Sequence, residues 1–457
     1  MFKRVLIANR GEIALRIIRA CRELSIESIC VYSSADAGGP WLEQATRSIC
    51  IGPGPSKDSY LRIERIIAAA EVSHADAIHP GYGFLSENAH FAEVCRDSGF
   101  EFIGPSPEAM AALGDKVNCK RLAKQSGTPI FPGSDGGIEE IDEAVKVAAE
   151  IGYPVIVKAS GGGGGRGMRV AFDEQALRSG IEQARQEAQA AFGNPMVFVE
   201  KYLEAARHFE VQVIGDKHGN AVHLYERDCS SQRRHQKLIE EAPAPGVDPA
   251  KREKVCASAA ELIRRAKYAG AATCEFLMDP QQNFYMLEVN TRVQVEHPIS
   301  EAITGVDIVQ TGIRVAAGEA LPHKQSDIRI NGHAMEFRIN AEDPARNFMP
   351  QAGVIETWAP PGGPGIRLDS HVRTGYRVPP NYDSMIGKLI VHAPDRESCI
   401  RRSLGALGEF KIGPIRTTIP LYQRLLQEPA FVGCRHDIKY VERLLAASDS
   451  KPSQSTV

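Results

Sequence analysis

The stretch CEFLMDPQQNFYMLEVNTRVQVEH, residues 274–297, guides the fold prediction because it combines a hairpin pattern with two acidic residues. The apolar runs on either side of the turn-like sequence DPQQN predict two antiparallel strands. If residues 280–283 form the loop, Glu275 lies opposite Glu288 in the hairpin.

Strand alternation predicts which side chains of the second strand share a face. The side chains predicted to face one way are Glu288, Asn290 and Arg292, and those predicted to face the other way are Leu287, Val289 and Thr291. Two adjacent carboxylates repel each other unless a cation lies between them. Mg²⁺ binds through one or two carboxylates together with substrate phosphates. The pattern therefore predicts a metal–phosphate site, with a solvated polar strand face as the alternative.

A glycine-rich run, GGGGG at 161–165, follows an apolar segment that ends in Lys158. Glycine has no side chain, so backbone N–H groups in such a loop can approach a polyphosphate closely, and the loop can close over a nucleotide. The run is not a P-loop, because no Gly-Lys-Ser/Thr follows it. We interpret it as a nucleotide lid, and a flexible surface linker is the alternative.

Length and composition limit the classes of function. The 457 residues suffice for two to four domains, and 43% hydrophobic and 24% charged residues are typical of a globular protein. A net charge of −3 predicts neither a nucleic-acid nor a membrane partner. The ten cysteines form no Cys-x-x-Cys pair, which favours reduced thiols and a cytoplasmic location. The sequence shows no signal-peptide pattern and no apolar stretch of membrane-spanning length.

The first hundred residues predict a parallel sheet. An apolar strand at 5–8, a helix after the turn at 9–12, and a second strand at 26–32 form a β-α-β unit. The segment HPGYGFLSEN, residues 79–88, carries a His, a Tyr and a Glu in a loop beyond a strand end. Such a position suits a binding site, and a tight structural turn is the alternative.

Two segments carry basic residues in informative patterns. Lys116, Lys120 and Lys124 recur at i, i+4 spacing, which predicts a basic helical stripe or simply a solvated face. The segment RDCSSQRRHQK, residues 227–237, suits a small anionic substrate better than nucleic acid, because the chain as a whole is not basic.

Two predicted strands place polar residues on a shared face. In the first strand, His208, Glu210 and Gln212 alternate with apolar residues, so their side chains point the same way. In the second strand, residues 333–339, the same alternation puts Glu336 and Arg338 together.

These motifs together resemble those of the biotin carboxylases, which belong to the ATP-grasp superfamily. The resemblance covers nearly the whole chain and rests, in this order, on IANRGEIALRIIRA, HPGYGFLSEN, KASGGGGGRGMR, RDCSSQRRHQK, EVNTRVQVEHP and YDSMIGKLI. It implies a mixed α/β and α+β fold with three domains and a tail. The implied parts are a Rossmann-like N-terminal domain at 1–113, an ATP-grasp domain at 114–330 with its lid at about 131–203, a biotin carboxylase C-terminal domain at 331–446, and a flexible tail at 447–457.

The resemblance also implies a reaction in which ATP phosphorylates bicarbonate to carboxyphosphate. Carboxyphosphate then releases CO₂, which carboxylates N1′ of biotin. The implied cofactors are ATP, Mg²⁺ or Mn²⁺, bicarbonate, and biotin held by another protein, because no Met here adjoins a Lys as in a Met-Lys-Met carrier loop. The expected pathway is that of acetyl-CoA carboxylase in fatty acid synthesis, and a subunit of a pyruvate or propionyl-CoA carboxylase is the alternative.

The partners implied by the resemblance are a biotin carboxyl carrier protein, carboxyltransferase subunits and a second copy of the chain. Family members carry an aromatic residue near the Gly-Gly turn at the dimer interface, and Pro364 stands at that position here.

Site residues follow from the resemblance, each by its place in a matching motif. The implied ATP-binding residues are Lys116, Lys158, Gly164, Gly165, Glu200, Lys201, Leu203, His208, Gln232, His235, Glu275 and Glu288. The implied metal ligands are Glu275, Glu288 and Asn290. The implied bicarbonate-binding residues are Lys237, Arg292, Gln294 and Val295, and the implied biotin-binding residues are Tyr82 and Arg338. The implied catalytic residues are Lys237, Arg292, Arg338 and Glu296, the last as general base.

Two other functions fit parts of the pattern. A different ATP-grasp ligase, which joins a carboxylate to an amine through an acylphosphate, would keep Glu275, Glu288 and the lid. It would not require Glu296 or Arg338 to face biotin. A catalytically silent scaffold would bind nucleotide without turnover.

Overall fold

The computed structural model describes residues 1–134, 136–159 and 168–449. The chain begins with a parallel five-stranded sheet in the order β3-β2-β1-β4-β5. Its strands are β1 (Arg4–Ile7), β2 (Glu27–Tyr32), β3 (Arg47–Cys50), β4 (Ala77–His79) and β5 (Glu101–Phe102). Its helices are α1 (Gly11–Glu23), α2 (Ile63–Ser73), α3 (Ala89–Asp97) and α4 (Pro107–Gly114).

Both faces of this first sheet are buried, as the apolar β1 sequence predicts. Val5 and Ile7 pack in one apolar cluster with α1, and Leu6 packs in another cluster with α2 and α3. The predicted β-α-β opening is therefore confirmed.

A small antiparallel sheet in the order β7-β6-β8 follows, with two long helices beside it. The elements of this region are α5 (Lys116–Ser126), α6 (Ile141–Ile151), β6 (Val155–Ala159), β7 (Arg169–Ala171), α7 (Glu174–Phe192) and β8 (Val197–Lys201). The predicted strand before the glycine run is confirmed as β6, which contains Lys158. Gly164 and Gly165 lie outside the described residues.

The largest element is an antiparallel eight-stranded sheet in the order β13-β12-β9-β10-β11-β14-β21-β19. Its first five members are β9 (Arg207–Gly215), β10 (Ala221–Arg233), β11 (Gln236–Ala242), β12 (Gly270–Met278) and β13 (Phe284–Asn290). The helices of this region are α8 (Pro249–Arg265), α9 (His297–Thr304) and α10 (Ile308–Ala316).

The last third of the chain adds the remaining strands of the large sheet and several short ribbons. Its strands are β14 (His333–Asn340), β15 (Glu342–Asp343), β16 (Met349–Pro350), β17 (Gly353–Val354), β18 (Thr357–Ala359), β19 (Ile366–Asp369), β20 (Arg377–Val378), β21 (Met385–Ala393) and β22 (Lys411–Gly413). Its helices are α11 (Arg396–Glu409), α12 (Ile419–Leu425), α13 (Pro429–Val432) and α14 (Tyr440–Asp449). Helix α14 includes residues 447–449 of the segment predicted as a tail.

The predicted hairpin is confirmed, and Glu275 on β12 is paired with Glu288 on β13. The pairing arises differently from the prediction, because the loop covers all of residues 279–283 and a bulge follows. Phe276 pairs with Met286, so Leu287 is the extra residue that restores the Glu275–Glu288 register.

The prediction that Leu287 and Val289 share one face of the strand is wrong. Leu287 is 38% exposed, whereas Val289 is 7% exposed and belongs to an apolar core. A bulge adds one residue to the strand and breaks the two-residue alternation on which the prediction depended.

Strand β9 separates the apolar core from the polar face of the large sheet. Phe209, Val211 and Val213 pack with residues of α5 and α8 in one apolar cluster. The alternate residues of β9 are His208, Glu210 and Gln212, which are buried on the other face. The predicted alternation of this strand is confirmed.

None of the helices in the described ranges combines the length and the apolar character that crossing a bilayer requires.

Candidate active site

The polar face of the large sheet collects polar and charged side chains from six strands, β9 to β14, and from the segment between β13 and α9. The residues that meet there are His208, Glu210, Arg227, Gln232, Lys237, Glu275, Asn290, Gln294, Glu296 and Arg338. Most of them are buried, so their charges interact in a medium that screens them weakly.

Glu275 is the acidic residue with the most contacts at this site. Its Oε1 accepts hydrogen bonds from Asn290 Nδ2 at 2.8 Å, from Gln294 Nε2 at 3.0 Å and from Lys237 Nζ at 3.3 Å. Its Oε2 lies 3.0 Å from His208 Nε2. Burial alone would raise the pKa of Glu275, but Lys237 and His208 hold this pKa well below its usual range. The carboxylate is therefore an anion at neutral pH.

Glu288 lies opposite Glu275 and reaches solvent. Its pKa is raised, first by partial desolvation and next by repulsion from Glu275. Two carboxylates that face each other beside the Asn290 amide form the hard oxygen donor set that suits Mg²⁺, so these residues fit the predicted metal. A bound divalent cation would supply positive charge at phosphate oxygens.

Glu296 lies between two cations at the N-terminus of α9. Lys237 Nζ donates to Glu296 Oε1 at 2.8 Å, and Arg338 Nη2 donates to Glu296 Oε2 at 3.0 Å. Burial would raise the pKa of Glu296, but the charges of Lys237 and Arg338 hold it well below its usual range. Lys237 also contacts Glu210, so this lysine joins three carboxylates.

Arg227 holds Glu210 on the buried side of the site, and no sequence pattern distinguished it from the other residues of the basic segment 227–237. It is fully buried and donates to Glu210 Oε2 at 3.0 Å, to Gln212 Oε1 at 2.8 Å and to Ser300 Oγ at 3.0 Å. The strand-face pattern of β9 was the sequence signal for Glu210, but nothing in the sequence identified Arg227 as its partner.

Arg292 lies at the edge of the site and does not contact Lys237. Its Nη2 donates to Asn290 Oδ1 at 3.1 Å, and its Nε donates to Glu87 Oε2 at 3.0 Å. Glu87 also accepts from the backbone N–H of Thr291 at 3.1 Å. The HPGYGFLSEN loop is therefore attached to the edge of the candidate site.

The small sheet carries a separate basic cluster around Glu200. Lys158 Nζ donates to Glu200 Oε2 at 2.6 Å, and Lys120 contacts the other carboxylate oxygen. Burial opposes ionisation, but these two lysines lower the pKa of Glu200 to about 2. Lys201 Nζ donates to the carbonyl oxygens of Gly152 and Tyr153 at 2.9 and 3.0 Å.

The other predicted site residues are spread around these clusters. Gln232 Nε2 lies 3.3 Å from His208 Nδ1, and His235 is exposed in the turn between β10 and β11. Leu203 follows β8 and is half-buried, and the backbone oxygen of Val295 accepts from Lys388. The Tyr82 hydroxyl donates to Glu12. The side chain of Lys116 lies outside the described part of the chain, as do Gly164 and Gly165.

A small antiparallel sheet beside a larger sheet with an acid-rich polar face is the arrangement of the ATP-grasp enzymes. Comparison with known families agrees. Residues 1–110 match the N-terminal domain of biotin carboxylase, and residues 336–443 match its C-terminal domain. Residues 115–324 match the ATP-binding domain of the carbamoyl-phosphate synthase L chain.

Known proteins similar to the chain over nearly its full length include a biotin carboxylase of Pseudomonas aeruginosa. It is 53% identical over 97% of this chain and 99% of its own. The crystal structure of a Campylobacter jejuni biotin carboxylase complex has a TM-score of 0.92 at 49% identity, covering 97% of this chain and 99% of that one. The chain belongs to the biotin carboxylase family, whose members are ATP-dependent ligases.

A further similar structure is the biotin carboxylase domain dimer of the 2-oxoglutarate carboxylase from Hydrogenobacter thermophilus, solved with MgADP, ADP and bicarbonate. Its TM-score is 0.89 at 46% identity, and the match covers 97% of this chain and 98% of that one. The predicted family and fold class are confirmed.

Proposed function

We propose that the chain carboxylates biotin on a separate carrier protein, using ATP and bicarbonate through carboxyphosphate. The observation that carries this proposal is the buried Glu296 carboxylate between Lys237 and Arg338. A carboxylate, an ammonium group and a guanidinium group in mutual contact supply the three kinds of group that this reaction needs.

Glu296 acts as the general base for bicarbonate. Its low pKa keeps it ionised before substrate binds. Bicarbonate bound by Lys237 would bring a second negative charge and compete for the same ammonium group, which raises the basicity of Glu296 at the moment it is needed. Proton removal makes bicarbonate a better nucleophile towards the terminal phosphate of ATP.

Arg338 stabilises negative charge on the ureido oxygen of biotin. Removal of the N1′ proton places charge on that oxygen, and a guanidinium group that is always protonated is suited to receive it. Arg338 Nε is anchored by Glu240 at 2.6 Å, so the Nη side of the guanidinium faces Glu296 and the substrates. Tyr82 belongs to the same biotin-facing group.

The nucleotide lies between the small sheet and the acidic hairpin in this proposal. The phosphate-binding residues are Lys116, Lys158, Gly164 and Gly165, and the base-binding residues are Glu200, Lys201 and Leu203. Nearer the ribose and phosphates are His208, Gln232 and His235, while Glu275, Glu288 and Asn290 would hold Mg²⁺. Arg292, Gln294 and Val295 complete the bicarbonate pocket with Lys237.

ATP hydrolysis measured with and without bicarbonate and free biotin tests the function. We expect hydrolysis that requires bicarbonate and Mg²⁺ and is stimulated by free biotin. An amine-dependent ligase would hydrolyse ATP with an amino substrate and ignore biotin. A silent scaffold would bind nucleotide without hydrolysis in any of these mixtures.

The natural partners are a biotin carboxyl carrier protein and carboxyltransferase subunits, with a homodimer of this chain in the cytoplasm. The final acceptor is acetyl-CoA, and pyruvate or propionyl-CoA is the alternative, because all three receive carboxyl groups from the same biotin intermediate. Capture of the biotinylated partner, followed by an acceptor screen with the complex, tests the carrier and the acceptor. Sedimentation of the purified chain tests the dimer.

A further inference from the structure

A second acidic pair lies in the layer behind Arg338. Strands β11 and β14 are antiparallel neighbours, and their register places Glu240 directly opposite Glu336. Both glutamates have 0% exposed surface. The Cβ atoms of directly opposite residues are about 4.5–5.5 Å apart, so the two carboxyl groups lie within reach of each other.

Most of the oxygen atoms of this pair have no hydrogen-bond partner. Arg338 Nε donates to Glu240 Oε1 at 2.6 Å. Within residues 1–134, 136–159 and 168–449, neither Glu240 Oε2 nor either carboxyl oxygen of Glu336 has a partner. A carboxylate in such a place is costly, whereas a carboxylic acid can donate its O–H to the neighbouring carboxylate.

The cations on this face already have partners. Arg338 is bonded to both Glu240 and Glu296. Lys388, opposite Arg338 on β21, lies 3.3 Å from Glu12 Oε1 and donates to the backbone oxygen of Val295 at 2.7 Å. In the described part of the chain, these contacts leave no cation bonded to Glu336.

We propose that Glu336 is a neutral carboxylic acid in the working protein and shares its proton with Glu240, so that the pair carries one negative charge. The charged groups around the pair are Arg338 on β14, Lys237 on β11, Lys388 on β21 and Glu296 at the start of α9. His297 of α9 is also buried on this side, and burial holds its pKa well below its usual range, so it adds no charge.

The electrostatics of the pair agree with its geometry. Burial raises the pKa of Glu336 well above its usual range despite the opposing charge of Lys388, and the charge of Glu240 raises it further. Two ionised carboxylates side by side without a cation between them would repel strongly, so one of them retains a proton.

The shared proton determines the net charge of the Glu240–Glu336 pair next to Arg338. Its effect on biotin, described next, rests on the proposed function. With one charge, the pair anchors Arg338 Nε and balances the guanidinium. With two charges, the layer behind Arg338 would be net negative and would oppose charge on the ureido oxygen of biotin. Glu240 and Glu336 are therefore positioning residues, because they act through Arg338.

Infrared difference spectroscopy without substrates tests the protonation directly. The spectrum of the wild type minus that of Glu336→Gln should contain the C=O band of a carboxylic acid at neutral pH. The matched control, Glu409→Gln on the exposed side of α11, should remove no such band. Absence of the acid band from the Glu336→Gln difference spectrum would overturn the inference.

Glu240→Gln provides a second measurement that does not depend on folding of the Glu336 variant. The amide removes the carboxylate that accepts the proton of Glu336 and leaves the burial of Glu336, Lys388 and Arg338 in place. We therefore expect the acid band of Glu336 to remain at neutral pH but to shift in frequency, because the C=O frequency of an acid depends on the hydrogen bond that its O–H donates. An acid band at the wild-type frequency in Glu240→Gln would show that the two residues do not share a proton.

Kinetics separate the charge effect from a structural effect. Gln at position 336 keeps the neutral state, whereas Gln at position 240 removes the single charge of the pair. Glu240→Gln should therefore reduce kcat/KM for free biotin at least tenfold more than Glu336→Gln. Equal losses would contradict the positioning role.

If the wild type hydrolysed ATP without any response to biotin, the proposed function would fail, while the infrared result would still decide the protonation.

Discussion

Glu296 is an anion bonded to two cations before any substrate arrives. Its contacts with Lys237 and Arg338 keep the carboxylate ionised although the side chain is 1% exposed. A bound substrate must therefore replace one of these contacts. When a substrate takes over the contact with Lys237 or Arg338, the pKa of Glu296 rises and its carboxylate becomes a stronger base.

Replacement of Glu296 by alanine tests its role as base. We expect turnover to fall about 100-fold or more, as for loss of a general base, while ATP affinity stays nearly unchanged. Bicarbonate-dependent ATP hydrolysis and nucleotide titration measure the two quantities. Glu253→Ala, on the exposed face of α8, is the matched control. A loss of ATP affinity as large as the loss of turnover would show that Glu296 has another role.

Replacement of Lys237 by alanine tests the anion pocket. The bicarbonate concentration for half-maximal rate should rise about 10- to 100-fold, because a hydrogen bond to a charged group is worth about 1.5–3 kcal/mol. Rates measured across a bicarbonate series at saturating ATP give this value. Lys254→Ala on α8 is the exposed control, and an unchanged bicarbonate titration in Lys237→Ala would remove this lysine from the pocket.

At the scale of elements, the small sheet depends on an ion cluster that crosses its strands. Glu200 on β8 binds Lys158 on β6 and Lys120 on α5. The pKa of Glu200, about 2 against an ordinary value of 4.5, means that the folded protein favours its ionised form. The stabilisation is present above pH 4.5 and disappears as the pH falls towards 2.

Glu200→Gln should therefore lower thermal stability most at pH 7, and the loss should shrink steadily as the pH falls below 4.5 towards 2. The upper limit of the loss is about 3.5 kcal/mol, from about 1.4 kcal/mol for each pKa unit. Melting temperatures of the variant and the wild type across this pH range measure the difference. The control is Glu204→Gln, an exposed glutamate in the next segment. A difference that stays constant with pH would exclude the ion cluster as its source.

The hairpin shows how far local sequence patterns determine the site. Apolar runs around DPQQN predicted the hairpin, whereas the Glu275–Glu288 pairing results from a loop one residue longer than predicted and a bulge that compensates for it. The bulge at Leu287 was not predictable, because no residue there has an unusual backbone requirement that the sequence would reveal.

Long-range contacts were the part of the site that sequence patterns could not supply. Alternation in β9 and β14 identified polar faces, and the family motifs named Glu296 and Arg338 as site residues. The contact of Arg338 with Glu240 and that of Lys388 with Val295 join strands and loops that are distant in the chain. Such partners follow from the strand order, which local periodicity does not determine.

At the scale of the whole molecule, Lys388 connects all three parts of the chain. It is fully buried on β21, lies 3.3 Å from Glu12 on α1, and donates to the backbone of Val295 between β13 and α9. Loss of this lysine would leave Glu12 buried without its cation.

Lys388→Met should reduce the free energy of unfolding by about 3–5 kcal/mol, as for a broken buried ion pair. The double variant Lys388→Met/Glu12→Gln should recover a large part of this loss, because no buried charge then lacks a partner. Urea unfolding of the single and double variants measures the coupling, with Lys411→Met as the exposed control. Additive losses in the double variant would contradict a direct pairing of these residues.

The eight-stranded sheet continues from β11 into β14 and so joins the middle of the chain to its last third by main-chain hydrogen bonds. Gly332 precedes β14 with φ +70°, and a Cβ atom there would lie 2.3 Å from the Ala393 oxygen, so the entry to this strand tolerates little change. A chain split at this point would give two polypeptides, each with an exposed strand edge where β11 and β14 now pair. Recombination between relatives can therefore exchange the C-terminal part of the chain only if β14 of one relative still pairs with β11 of the other.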